Sequence, residues 1–152
     1  MPHIRPATPA DQSALLHLAV ACGLFEPDQT EALGEMMGAA LSGELPDHYW
    51  ITDDNKAAAY YAPETFADGV WNLYFIGVLP NLKGKGRGNN LLQYVENDLR
   101  EKEQRMLIIE TSGLEGFTLT RRFYLKHGYE EEARIRDYYQ NGDDKVVFRK
   151  VL

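Results

Sequence analysis

The chain has 152 residues, of which 44% are hydrophobic and 26% charged, with a formal net charge of -7 at pH 7. That length buries a real core in one domain, taken as residues 1–152, and the composition is ordinary for a soluble globular protein. The acidity argues against nucleic-acid binding through bulk charge, and the chain lacks both an apolar stretch near membrane-span length and a signal-peptide core.

The opening "HIRPA" (3–7) reads as a short strand. Thr8, Pro9 and Asp11 then form a helix start, with a hydroxyl cap, a proline in the first turn and an acid behind it. Leu15, Leu16, Leu18 and Ala19 give that helix one apolar face, and Gly23 ends it. Cys22, the only cysteine, reads as a small residue near the helix end and suits a reducing cytoplasm. A second helix covers Pro27 to Leu41, with Leu33, Met36, Met37, Ala40 and Leu41 inward; the methionines read as core filler.

Strands follow at "HYWITD" (48–53) and "AAAYYAPETF" (57–66), separated by the turn signal "DDNK". "VWNLYFIGVL" (70–79) is a third, strongly apolar strand that Pro80 ends. The stretch 88–105 is helical, with Leu91, Leu92, Val95 and Leu99 on one face. "MLIIET" (106–111) is apolar enough to be a strand covered on both faces. A short helix at 117–128 ends at Gly128, and strands 129–139 and 145–152 close the chain around "NGDD". The order β-α-α-β-β-β-α-β-α-β-β describes an α/β (α+β) fold, a mixed sheet with helices packed against it.

The joint between the third strand and the long helix is unusual. Gly84, Gly86 and Gly88 alternate with Lys83, Lys85 and Arg87, three cations with no acid inside an acidic chain. A glycine-rich turn feeding a helix offers unpaired N–H groups and the positive end of the helix dipole. Glycine also lets the main chain approach a bulky anion. The arrangement suits a phosphate or pyrophosphate; a flexible basic loop is the plainer reading. Neither GxxxxGK[ST] nor GxGxxG is present.

"VLPNLKGKGRGNNLL" (78–92) resembles motif A of the GCN5-related N-acetyltransferases: an apolar strand, V-x-P, then Q/R-x-x-G-x-G/A opening a long helix. Lys83 occupies the Q/R position, and Gly86 and Gly88 are the pattern glycines. "RRFYLKHGY" (121–129) is similar to motif B, with Tyr124 on its tyrosine and Gly128-Tyr129 on its GF. Phe117 and Thr120 stand where the family often has N-x-x-A.

The resemblance covers Ile4 to Leu152. It implies a mostly antiparallel sheet of six to seven strands flanked by about four helices. It implies acetyl-CoA (coenzyme A) as cosubstrate, with the main chain of about Gly84 to Asn89 on its pyrophosphate and the side chains of Lys83, Lys85 and Arg87 at the rim. Ile76, Gly77 and Val78 would lend main-chain bonds to the pantetheine arm where the strand splays from its neighbour.

Acetyl transfer to an amine requires alignment, a neutral nucleophile, an oxyanion donor and a proton for the departing thiolate. No Ser-His-Asp or Cys-His pattern appears, which agrees with direct attack by a primary amine. Tyr124 is the expected proton donor to sulfur, and a main-chain N–H near Val78 the oxyanion donor. Two roles are open to Glu110, a general base or one half of a strand-end salt bridge. His127 reads as a helix cap and His48 as a strand start, and no residues have metal-ligand spacing.

The acceptor, a small molecule or a protein amine, would sit among the first two helices, the 64–70 loop and the final hairpin. Tyr138, Tyr139, Asp137, Asp143 and Asp144 either line that pocket or are solvated hairpin residues. A non-catalytic acyl-CoA sensor on the same fold is the alternative to an enzyme. The tyrosine-rich hairpin either pairs with a second copy as a homodimer or packs as core. No membrane or nucleic-acid partner is expected, and the expected location is cytoplasmic.

Overall fold

The computed structural model describes residues 3–152. In chain order the elements are β1 (Ile4–Pro6), α1 (Gln12–Ala21), α2 (Thr30–Leu41), β2 (Tyr49–Asp53), β3 (Ala57–Pro63), β4 (Val70–Val78), α3 (Arg87–Glu101), β5 (Met106–Ser112), α4 (Thr118–Lys126), β6 (Glu130–Gln140) and β7 (Asp143–Val151). The strands form one seven-stranded sheet in the order β1-β2-β3-β4-β5-β7-β6. Only β4 and β5 pair in parallel; the other neighbours are antiparallel. Among the described residues, no helix is long and apolar enough to cross a membrane.

Local chemistry sets the turns. The Thr8 N–H donates to Asp11 Oδ2 at 2.8 Å, the reaching-back half of a capping box. Arg5 donates to both Asp11 oxygens at 2.8 Å, tying β1 to the start of α1. That guanidinium holds the buried Asp11 carboxyl well below the usual carboxylate range. Between β2 and β3, Asp54 and Asn55 take φ of 52° and 56°, the pair of left-handed residues that a tight hairpin demands.

Two cores lie on opposite faces of the sheet. On one, Leu15, Leu18, Leu33 and Met37 from α1 and α2 pack on Trp50 and Phe75. Met36 departs from the expected inner face and is 60% exposed. Met37 lies four residues past Leu33 and shares its stripe, whereas Met36 is turned about 100° away. On the other face, Leu91, Leu92, Val95 and Leu99 of α3 pack with Leu107, Ile109, Tyr124 and Phe148.

From Met106 to Thr111, β5 is fully buried on this second face alone. Leu107 and Ile109 are buried while Ile108 and Glu110, pointing the other way, are half-buried. The expected double cover is absent because α1 and α2 lie over β2 to β4, in contact with Trp50, Ala58 and Phe75. α3 also stops earlier than its apolar pattern suggests, at Glu101, where Glu103 (φ 58°) turns the chain toward β5.

Leu92 has no exposed surface at the centre of the second core. Leu92→Ala should cost about 2–5 kcal/mol in urea unfolding, because a cavity adds to the lost burial. Met36→Ala, by contrast, should stay within about 0.5 kcal/mol of the parent.

Candidate active site

The β4–β5 ladder runs only from Val70↔Met106 to Leu73↔Ile109. Past that point each strand keeps its outer partner: β4 stays with β3 as far as Val78, and β5 with β7 as far as Ser112. The inner edges of Tyr74 to Val78 and Glu110 to Ser112 are therefore split apart. An irregularity drives the divergence. Tyr60 pairs with Phe75 but Tyr61 pairs with Leu73, so Tyr74 is an extra residue in a β-bulge.

The expected main-chain contacts of Ile76, Gly77 and Val78 fall along this split edge. Part of that edge is engaged from within, since the Cys22 thiol donates to the Val78 carbonyl at 3.4 Å. Burial pushes the Cys22 thiol pKa up, which favours this protonated donor. Gly77 makes the contact possible, because a β-carbon there would lie 2.8 Å from Cys22 Sγ and from Phe75.

The glycine-cation joint follows β4 directly. Gly84 and Gly86 have φ of 81° and 83°, and a β-carbon on either would project into open space. Gly86 is the residue before α3, and its carbonyl accepts from the Asn90 N–H at 3.0 Å. Among the described residues, no main-chain N–H from Lys83 to Asn89 has a hydrogen-bond partner within the protein. A run of free amides at the start of a long helix is a ready acceptor for a diphosphate.

The cations of the joint divide. Lys83 and Lys85 are exposed and have no ion-pair partner among the described residues. Arg87 instead turns back, 3.8 Å from Asp53 and 3.4 Å from the Leu82 carbonyl. Its amide belongs to the free row; its guanidinium is engaged elsewhere. The Asn89 side chain is likewise held, 2.7 Å from His127 Nε2.

α4 meets this joint from the second face. Its His127 Nδ1 donates to the Phe123 carbonyl at 2.8 Å, the expected helix cap, while Nε2 reaches the first turn of α3. Phe123 lies against Gly88, 3.6 Å from where a β-carbon would be. Tyr124 follows, with its ring 5.6 Å from that of Phe148. Phe148 pairs with Ile109, the last β5 residue joined to β4. Tyr124 thus stands over the point where the strands part.

Tyr124 is 3% exposed, and among the described residues its hydroxyl has no hydrogen-bond partner. Among the described residues, the only buried side-chain atom wholly sealed without a partner is Asn72 Oδ1, so the Tyr124 hydroxyl retains some access. Burial raises its pKa well above the ordinary tyrosine value, keeping the proton on oxygen at neutral pH.

Glu110 lies on the opposite face from Tyr124, because successive strand residues alternate and Ile109 faces the α3 core. The salt bridge expected as one of its two roles is present, with Lys145 Nζ 3.1 Å from Oε1. Lys145 also sits 4.0 Å from the centre of the Tyr138 ring, which draws the hairpin toward Glu110.

The acids of the hairpin are engaged by neighbouring donors. Ser112 Oγ donates to Asp143 Oδ1 at 2.5 Å, and Arg134 donates to Asp144 Oδ2 at 2.9 Å. Asp137 (φ 56°) accepts from the Gly142 N–H at 2.7 Å. These bonds fix a register break in which β6 jumps from Ile135↔Lys145 to Gln140↔Asp143, and they present Tyr138 and Tyr139 to solvent.

The sequence reading passed over Glu64, Asn72 and Tyr74 on the Glu110 face. Asn72 Nδ2 donates to Glu64 Oε1 at 2.9 Å, and the Tyr74 hydroxyl is 3.4 Å from the same oxygen. Burial and the facing Glu64 carboxylate push the Tyr74 hydroxyl up to about 12. The run "WNLYFIG" gave no sign of the bulge that turns Tyr74 outward.

Residues 46–131 match the family described as the acetyltransferase (GNAT) domain. No curated protein matches the chain. Among solved structures, a GNAT-family protein from Desulfovibrio desulfuricans is 30% identical, with 99% of each chain covered and a TM-score of 0.86. The ribosomal-protein-S18-alanine N-acetyltransferase from Escherichia coli is 19% identical, with 99% of this chain and 94% of its own covered and a TM-score of 0.77. The PaiA N-acetyltransferase from Thermoplasma acidophilum, in complex with coenzyme A, is 15% identical, covering 100% and 99% at a TM-score of 0.76.

Proposed function

Because the chain belongs to the GNAT family of acetyltransferases, we propose that it transfers acetyl from acetyl-CoA to a primary amine by direct attack, as one domain. The observation that carries this reading is the row of unpartnered amides from Lys83 to Asn89, opening beside the split strands. Acetyl-CoA, when bound, supplies an activated acyl carbon and a thiolate leaving group.

The residues divide the work. Amides of Gly84 to Asn89 hold the diphosphate, and Lys83 and Lys85 add charge at its rim. The free edge of Ile76 to Val78 aligns the pantetheine arm and offers an N–H toward the developing oxyanion. Tyr124 keeps its proton on the hydroxyl oxygen and gives it to the leaving sulfur. On the other face, Glu110, steadied by Lys145, receives the amine's proton directly or through water.

Amine and thioester therefore meet across the split from opposite faces of the sheet. This keeps Tyr124 dry and leaves the acceptor side open to solvent. Free-thiol release from acetyl-CoA across a broad amine panel tests the proposal. Amine-dependent release is expected; tight coenzyme A binding with no turnover on any amine would instead mark an acyl-CoA sensor.

A further inference from the structure

The imidazole of His127 bonds through both of its ring nitrogens. Nδ1 donates to the Phe123 carbonyl at 2.8 Å, and Nε2 lies 2.7 Å from Asn89 Oδ1. Both partners are oxygens that only accept. A ring serving both carries a proton on each nitrogen, and with it a positive charge. The Phe123 ring lies 4.4 Å from the imidazole between ring centroids and favours a cation there.

Asn89 is half-buried in the first turn of α3 and already lends its main-chain N–H to the free row. With Oδ1 taken by His127, its Nδ2 has no partner among the described residues. A neutral ring has one N–H, which Phe123 holds, so Nε2 could then only accept. Asn89 would turn its amide over, giving Nδ2 to the ring and leaving Oδ1 free.

The charges around His127 have partners of their own or stand in solvent. Lys150 Nζ, from β7, donates to the His127 carbonyl at 2.8 Å and pairs with Glu96 of α3 at 3.0 Å. Glu96 also meets Arg100 of α3 at 3.7 Å. Lys126 on α4, Glu130 at the start of β6, and Lys83 and Lys85 of the joint are exposed. Arg87 is turned toward Asp53.

Resting on the acetyltransferase reading above, we propose that His127 is a positioning residue for the diphosphate of coenzyme A. Its charged form holds Asn89 Oδ1, so that Nδ2 joins the main-chain amides on the anion. Its neutral form reverses the amide and sets an oxygen against the phosphates. Cofactor and proton therefore bind together, each raising the affinity for the other by the same factor. Histidine changes charge between about pH 5 and 8, so cofactor affinity should fall as pH rises through that range.

Dephospho-coenzyme A is the probe, because it lacks the phosphate monoester that itself titrates near neutrality, while its diphosphate keeps a constant charge. Calorimetry should show it binding about fivefold or more tighter at about pH 5.5 than at about pH 8. At neutral pH, runs in buffers of different ionisation enthalpy should show net proton uptake on binding. His127→Gln should bind with the parent's high-pH affinity throughout, without proton uptake. Asn89→Ala should be weaker than the parent at low pH but no weaker at high pH, a split that a merely structural role would not produce. His3 lines a cavity with Lys85 and Arg87 on the β2–β3 side of the joint and is the rival proton site. His3→Gln should leave the profile unchanged.

A flat pH profile, or one that survives His127→Gln, would overturn the role of His127 and leave the amides on the diphosphate. Failure of the probe to bind at any pH would instead remove the diphosphate reading, and this inference with it.

Discussion

Gly86→Leu is expected to abolish coenzyme A binding in a protein that still folds. At φ 83° a β-carbon costs about 1–2 kcal/mol, and nothing among the described residues lies within 4 Å of where it would stand. The leucine side chain would therefore project into the space that the free amides face. A chain relaxing to a negative φ would instead rotate the peptide on either side and scatter those amides. Either route removes the diphosphate contacts, and an affinity in the micromolar range should weaken beyond the millimolar, about 4 kcal/mol. Calorimetry reads the binding and circular dichroism the fold. Unaltered affinity in the folded variant would show that the diphosphate lies elsewhere.

Tyr124→Phe separates chemistry from binding. The hydroxyl has no partner among the described residues, so its loss breaks no internal bond, and the ring still packs on Tyr129 and Phe148. Stability and the KM for acetyl-CoA should change little. kcat should fall about 10²-fold, the lower range for loss of a positioned proton donor. A turnover number equal to the parent's would take Tyr124 out of the mechanism and leave it as a core tyrosine.

Much of the fold was legible because its signals are local. Thr8-Pro9-Asp11, the Asp54-Asn55 turn, the Leu91-Leu92-Val95-Leu99 stripe and the Asn141-Gly142 turn each declare themselves within a few residues. The free amides of the glycine-cation joint were legible for the same reason, since they follow from glycines opening a helix. Met36 was misplaced because a methionine pair carries no information about which member faces inward; the phase of the helix decides. Ile108 was expected to be covered because apolar content alone cannot reveal where α1 and α2 end over the sheet.

The sheet face that carries Glu110 was the least visible part. Glu64, Asn72 and Tyr74 converge only because a bulge shifts the β3–β4 register by one residue, and "YYAP" opposite "NLYF" gives no local hint of it. The acids Asp137, Asp143 and Asp144 read as pocket or solvent residues, yet Ser112, Arg134 and main-chain N–H groups take them up. Such partners lie on neighbouring strands or across the turn, so pairwise contacts rather than residue types settle their roles.

The central claim is that main-chain amides after β4 bind a diphosphate. A titration of ¹⁵N-labelled protein with coenzyme A, set beside one with pantetheine, tests it most directly. Coenzyme A should shift the amide resonances of Gly84, Gly86 and Gly88 and slow their hydrogen exchange, while pantetheine, which lacks the diphosphate, leaves them in place. Saturation with coenzyme A that leaves those three resonances unmoved would contradict the account.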